Sequence, residues 1–219
     1  DADYEVKGAN GTANITMNGG EDARDVARAY NLITGSTGVK ASAITRLKIV
    51  NVTESDHFSF TLQGRDKNAS VVNATISNKD DLTTIKDSIN SVSSDTGIVA
   101  DLVNNKSSIL LVQNEGYDII IGDLTTASGN MTVDAVEKNN SGKLIDQNNQ
   151  RVLNGNGSGS DSVGVFGQVT LSSSKAFSIT PGNSANHFNS STEAMISDFV
   201  SLDNIDLSTQ ETASMAMAR

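Results

Sequence analysis

The sequence predicts an α+β fold made of two tandem β-α-β-β units plus additional antiparallel β-hairpins, and three observations lead there. Residues 13 to 62, shifted forward by 59, land on 72 to 121 with their apolar character kept: Ala13, Ile15 and Met17 fall on Val72, Ala74 and Ile76, and Val26, Tyr30 and Ile33 on Ile85, Ile89 and Val92. Within each copy the apolar period changes from two to about 3.6 and back again, as in strand, helix, strand. Finally, Thr37-Gly38-Val39 recurs as Thr96-Gly97-Ile98, and Phe58, Phe60 and Leu62 recur as Tyr117, Ile119 and Ile121. Core-forming positions repeat while polar ones drift, which marks a packing module; no set of reactive residues is duplicated with it.

Each unit opens on an alternating strand, Ala13 to Met17 and then Val72 to Ile76, with Asn and Thr on the outer face. The turns Gly19-Gly20-Glu21-Asp22 and Ser77 to Asp81 place capping carboxylates where a helix N-terminus has unpaired amides and a positive dipole end. Leu82, Ile85, Ile89 and Val92 form one stripe of an amphipathic helix, matched by Ala23, Val26, Tyr30 and Ile33. Gly38 and Gly97 stop the helices. Strand character resumes at Val39 to Ala41, Leu47 and Ile49, and at Ile98 and Ile109 to Val112; Phe58 to Leu62 and Tyr117 to Ile121 are expected to close each unit as hairpin partners. Burying one such Leu or Ile contributes roughly 1.5–3 kcal/mol, enough for two copies packed together rather than two independent domains.

The expected organisation is a first unit at 1–63, a second at 64–122, a variable loop with returning β-hairpins at 123–200, and the start of a C-terminal helical segment at 201–219. Residues 139 to 159 are rich in Asn, Gly, Ser and charge, as in an exposed loop. Strands return at Ser162 to Leu171 and Lys175 to Ile179, ahead of a Pro181-Gly182 turn. A short helix is expected at Glu193 to Val200, with Met195, Ile196 and Phe199 on one side, and Ser208 to Glu211 has the form of a capping box before Ala213 to Arg219.

Composition excludes several classes. Sixteen basic against 26 acidic residues give a net charge of −10, which repels nucleic acid and anionic membrane. Without cysteine there are no disulfides, thiolate metal sites or thiol nucleophiles, so an extracellular protein of this kind must be held by its core alone. Only 4% is aromatic, so that core rests on Val, Ile, Leu, Ala and Met. No apolar run approaches the roughly 20 residues that span a bilayer. The start at Asp1, without Met or a signal-like segment, and the end at Arg219 predict a piece of a longer chain.

Three stretches carry a resemblance. Val200-Ser201-Leu202-Asp203-Asn204-Ile205-Asp206-Leu207-Ser208-Thr209, followed by Ala213 and Ala216, is similar to the V-x-x-(I/V)-D-(I/L)-S-T segment that leads into the C-terminal helix of bacterial flagellin. Asn31 to Val39 and Asn90 to Ile98 resemble the Asn-x-x-(T/S)-x-x-T-G-(V/I) stretch of that family's small α/β insert motif, which hook-associated proteins also carry. Gly167 to Phe177 looks like the hairpin that closes flagellin's variable region. The resemblance implies outer, solvent-facing domains of a filament subunit: extracellular, antigenic, and supporting motility. Its implied partners are other flagellin subunits, reached through flanking helices absent from this sequence, and antibodies or phage; the fragment itself is expected to be monomeric. An adhesin, glycan-binding module or hook-associated protein using the same motif is the alternative.

No catalytic, cofactor-binding or metal residue is expected, and no enzyme activity. His57 and His187 lack converging partners and read as solvated side chains. Asp1-x-Asp3-x-Glu5 lacks the glycine and distant Glu of a calcium loop and reads as a solvated terminus. Gly155 to Gly159 carries no Lys and follows no strand-into-helix pattern, as a phosphate cradle would, so it reads as a flexible loop. Asn-x-Ser/Thr triplets at Asn14, Asn51, Asn68, Asn73 and Asn130 are what a chain rich in these residues yields by chance.

Overall fold

A computed structural model describes residues 2–139, 143–157 and 159–182, with the backbone of 195–196. Alternation begins at once: β1 (Ala2–Gly8) buries Ala2, Tyr4 and Val6 and turns Asp3, Glu5 and Lys7 outward. A tight Ala9-Asn10 turn leads to its partner β2 (Gly11–Met17), which buries Ile15 and Met17 on the same core. Asp22 caps α1 (Ala23–Leu32), its carboxylate accepting the Asp25 N–H at 2.9 Å where helix amides lack partners. One further turn, α2 (Thr34–Thr37), stops at Gly38 with a φ of 75°, a left-handed conformation that costs glycine no Cβ clash. β3 (Lys40–Val52) and β4 (His57–Gln63) follow.

The series then recurs as β5 (Ser70–Thr75), α3 (Thr83–Ser91), α4 (Ser93–Thr96), β6 (Ile98–Val103), β7 (Ser108–Gln113) and β8 (Ile119–Thr125). After it come β9 (Asn130–Lys138), β10 (Leu144–Asp146), β11 (Arg151–Asn154), β12 (Val163–Val165), β13 (Gln168–Ser172), β14 (Ser178–Pro181) and β15 (Met195–Ile196). Strand pairing among the described residues is antiparallel throughout, so the fold is rich in antiparallel sheet with few helices. The sheets run β15-β14-β1-β2, β12-β8-β4-β5, and β10-β9-β3-β7-β6 with β11 also beside β9 and β13 beside β3.

These pairings nest one copy inside the other. β4 lies between β5 and β8 as β1 lies between β2 and β14. The β6–β7 hairpin, with Ala100 opposite Leu111, answers the pair formed by the start of β3 and β13, with Ala41 opposite Leu171. The first copy therefore receives its last two strands only after the whole second copy has passed. Two cores result: one under α1, of Tyr4, Val6, Ile15, Met17, Tyr30, Val39 and Ile179, and a larger one under α3 that runs from Leu47 to Leu153.

Several expectations are corrected here. The division at residue 63 runs between β4 and β5, paired strands of one sheet, and the cut at 122 falls inside β8. β4 does not pair with β3, nor β8 with β7; β4 and β8 pair with each other. Alternation reveals which face of a strand is inward, but its hydrogen-bond partner depends on which apolar face needs cover. Likewise β13 and β14 are not a hairpin, since β13 joins β3 and β14 joins β1. The 123–200 stretch supplies β9, buried on both faces, a central strand rather than part of a loop. Of the helix expected at 193–200, the described pair Met195–Ile196 is strand beside β14, and the rest lies outside the described residues together with His187 and 201–219.

Candidate functional site

The most specific local construction in the molecule is built twice. Asn31, at the end of α1, donates from Nδ2 to the Ala41 carbonyl and accepts the Ala41 N–H on Oδ1, both at 2.9 Å. Asn90, at the end of α3, does the same to Ala100, at 2.9 and 2.8 Å. Six residues on, the Thr37 hydroxyl donates to the Ile33 carbonyl at 3.0 Å and accepts the Val39 N–H at 3.2 Å; Thr96 repeats both bonds with Val92 and Ile98 at the same distances. Gly38 and Gly97 occupy the left-handed position between them. Gly8 and Gly64 pack against the Thr37 and Thr96 carbonyls so closely that a Cβ would lie 2.1 and 2.2 Å from the oxygens. These contacts consume the polar atoms in joining helix to strand, which leaves them no chemistry toward a ligand.

The two copies meet at the start of α1. The Arg24 N–H donates to the Gly116 carbonyl at 3.2 Å, and the Arg24 guanidinium stacks 4.7 Å above the Tyr117 ring. A Cβ on Gly167 would lie 2.6 Å from both Ala23 Cβ and Thr45 Oγ1, so the crossing is close-packed. Burial raises the Asp118 carboxyl above its ordinary range and the charge of Asp22 raises it further, against a lowering bond from the Gly167 N–H.

Elsewhere, polar side chains clamp loops. Asp56 accepts N–H bonds from His57 at 2.7 Å, Ser128 at 2.8 Å and Gly129 at 3.2 Å, and these donors, Ser128 foremost, hold its carboxyl below the ordinary range. Two open polar grooves lie at loop ends, one lined by Arg65, Lys67 and Asp95, the other by Asn51, Thr53, Lys79 and Asp80. Arg65 is occupied by Glu115 at 3.3 Å and by the Ser94 carbonyl at 2.7 Å. On the outer face of the largest sheet Lys48 meets Asp146 at 2.8 Å beside the buried Asp134.

Among the described residues, the candidate side chains do not converge. His57 is exposed on β4 with Nδ1 3.0 Å from Thr75 Oγ1. Asp3 and Glu5 face outward on a paired strand, and Asp3 accepts the Thr16 hydroxyl at 2.7 Å. Gly155 packs against Thr126 rather than standing free. Asn14, Asn51, Asn68 and Asn73 are exposed, and Asn130 is half-buried. Sequence reading missed the Lys48–Asp146 pair because 98 residues separate its members.

No protein-family model matches the chain, and no curated protein does. Among solved structures it is similar to the flagellar cap protein FliD D1-D2-D3 domains from Escherichia coli, at 14% identity and a TM-score of 0.26, over 89% of this chain and 61% of that one. The chain thus spans less than two thirds of that structure, and a superposition this loose leaves function to be argued from the residues themselves.

Proposed function

We propose that this chain forms outer, solvent-facing domains of a bacterial flagellar filament subunit. The observation that carries the reading is the doubled Asn-to-Thr-Gly motif: Asn31 to Val39 and Asn90 to Ile98 resemble the flagellin insert motif in sequence, and in both copies its Asn and Thr make the same four hydrogen bonds. The flagellin-like tail from Val200 to Thr209 favours filament over hook-associated protein. In a filament the subunits would touch through helical sections flanking this region, and these domains would face solvent. A net charge of −10 would keep neighbouring domains apart and soluble, and the outward loops would be what antibodies or phage meet.

Immunogold labelling of intact source cells with antibody raised against this chain tests the proposal. Gold along the whole filament is the expected result. Gold confined to the hook or filament tip would move the assignment to a hook-associated protein, and gold on the cell body, with saturable binding to one sugar class on a glycan array, to an adhesin. By size-exclusion chromatography the chain should elute as a monomer.

A further inference from the structure

We infer that Asn18 and Asn156 are sites of spontaneous deamidation, in which an asparagine amide becomes a carboxylate through a cyclic imide, while the fold protects the other asparagines that precede a glycine. Glycine in that place favours the reaction, because no Cβ obstructs its nitrogen on the way to the asparagine Cγ and its backbone turns freely. The sequence holds four such pairs, Asn10-Gly11, Asn18-Gly19, Asn154-Gly155 and Asn156-Gly157. The structure separates them. Asn18 and Gly19 are exposed in the turn between β2 and α1, a Cβ on Gly19 would meet nothing within 4 Å beyond its chain neighbours, and Gly20 follows with a φ of 84°. Asn156 and Gly157 are exposed in the turn after β11, and Gly157 is equally open. Exposed turns of small and polar residues have the backbone freedom that ring closure demands. Asn10, by contrast, is tied to the end of the first helix pair: its N–H donates to the Thr37 carbonyl and its Nδ2 to the Gly35 carbonyl, both at 3.3 Å. Gly11 pairs with Gly8, and a Cβ on it would lie 3.2 Å from the Ser36 oxygen. Asn154 stands opposite Asn130 in the β9–β11 ladder and donates its N–H to the Ser160 carbonyl at 2.8 Å. Gly155 is buried against Thr126, whose N–H its carbonyl accepts at 3.0 Å. Ring closure at Asn10 or Asn154 would first have to break these pairings.

Water is the only co-reactant. At the first site the Gly19 nitrogen gives its proton to solvent and bonds to Asn18 Cγ; the Cγ–Nδ2 bond breaks, and Nδ2 leaves as ammonia with a proton from solvent. Water then opens the imide ring at either of its carbonyls, giving aspartate or isoaspartate, so one ammonia is exchanged for one water and nothing is oxidised or reduced. The same steps run from the Gly157 nitrogen to Asn156. In the unreacted chain Asn18 Nδ2 donates to Glu21 Oε1 at 2.6 Å. The product replaces that bond with two facing carboxylates just ahead of the Asp22 cap, and each converted site adds a negative charge to the −10 of the chain.

Incubation of the native full chain in mildly alkaline buffer made with heavy-oxygen water, followed by peptide mapping that separates aspartate from isoaspartate, reads each site. The expected result is labelled product at Asn18 and Asn156 with Asn10 and Asn154 intact, and labelled product at all of them when the same incubation is run in guanidinium chloride. Gly19→Ala, which adds its methyl in open space, should slow conversion at Asn18 several-fold and leave both Asn156 and the circular dichroism unchanged. An Asn18 or Asn156 that keeps its amide in the native chain while converting in denaturant would overturn the assignment of that site. Conversion of Asn10 or Asn154 as fast in the native chain as in denaturant would overturn the protection by the fold. An unchanged rate at Asn18 in Gly19→Ala, or amides that survive in denaturant as well, would overturn the attack by the glycine nitrogen.

Discussion

Asn31 and Asn90 each satisfy one strand residue's donor and acceptor with a single side-chain amide. Truncation leaves that peptide group with neither partner, at the point where a helix hands over to a strand. Asn90→Ala should therefore cost about 1–3 kcal/mol in urea denaturation, and Asn31→Ala, whose bonds are exposed so that water can replace them, less; a change below a few tenths in Asn90→Ala would show the clamp to be incidental. Asp56 yields a pH prediction. Its folded carboxyl titrates below the ordinary value because the Ser128, His57 and Gly129 amides favour the charged form. A depressed carboxyl contributes stability that is full above the unfolded value of about 3.9 and fades as pH falls through the lower folded value. The Tm gap between the parent and Asp56→Ala should be constant from about pH 5 to 7 and shrink below about pH 4. An undiminished gap in acid would assign the effect to packing.

The repeated helix-to-strand element tolerates no side chain where the glycine strand end passes under it. Gly64→Ala would drive a Cβ to 2.2 Å from the Thr96 carbonyl oxygen, and a backbone atom cannot swing aside as a side chain can. Overpacking of this kind costs about 1–3 kcal/mol. Gly19→Ala, with nothing within 4 Å of its Cβ, serves as the control and should stay within about 0.5 kcal/mol. Equal denaturation midpoints for the two variants would show that the element relaxes around the added methyl. Both helices and both glycine stops were legible in the sequence because they depend on local period and local backbone conformation: α1 and α3 span the predicted stripes, and Gly38 and Gly97 take the predicted role. β1 was legible too, in the alternation of Ala2, Tyr4 and Val6 with Asp3, Glu5 and Lys7: the acids expected at a solvated terminus line the outer face of a paired strand. β9 alternates too, with Met131, Val133 and Ala135 against Asn130, Thr132 and Asp134, but Thr132 and Asp134 are buried as well, and only the fold shows that both of its faces are covered.

In the molecule as a whole, nesting makes a prediction that tandem units do not. The larger core, from Leu47 to Leu153 with Val163 and Val165 packed against it, lies wholly within residues 45–166. Expressed alone, that piece should show a β-rich circular dichroism spectrum and one cooperative urea transition. A cut after residue 63 or 122 should yield fragments without such a transition, because it separates β4 from β5 or breaks β8. A non-cooperative 45–166 piece would mean that the two copies stabilise one another across the Arg24–Gly116 junction.

Local sequence was sufficient for the duplication, the helix stripes, the glycine stops and the inward faces of most strands, since each follows from spacing along a few residues. It was equally sufficient to remove thiol chemistry and to weigh against polyanion partners. Strand partnership, the nesting of one copy within the other, and the pairing of Lys48 with Asp146 arose only on folding. Those features join residues tens of positions apart, and what selects them is the burial of whole apolar faces against one another, a property no short window of sequence contains.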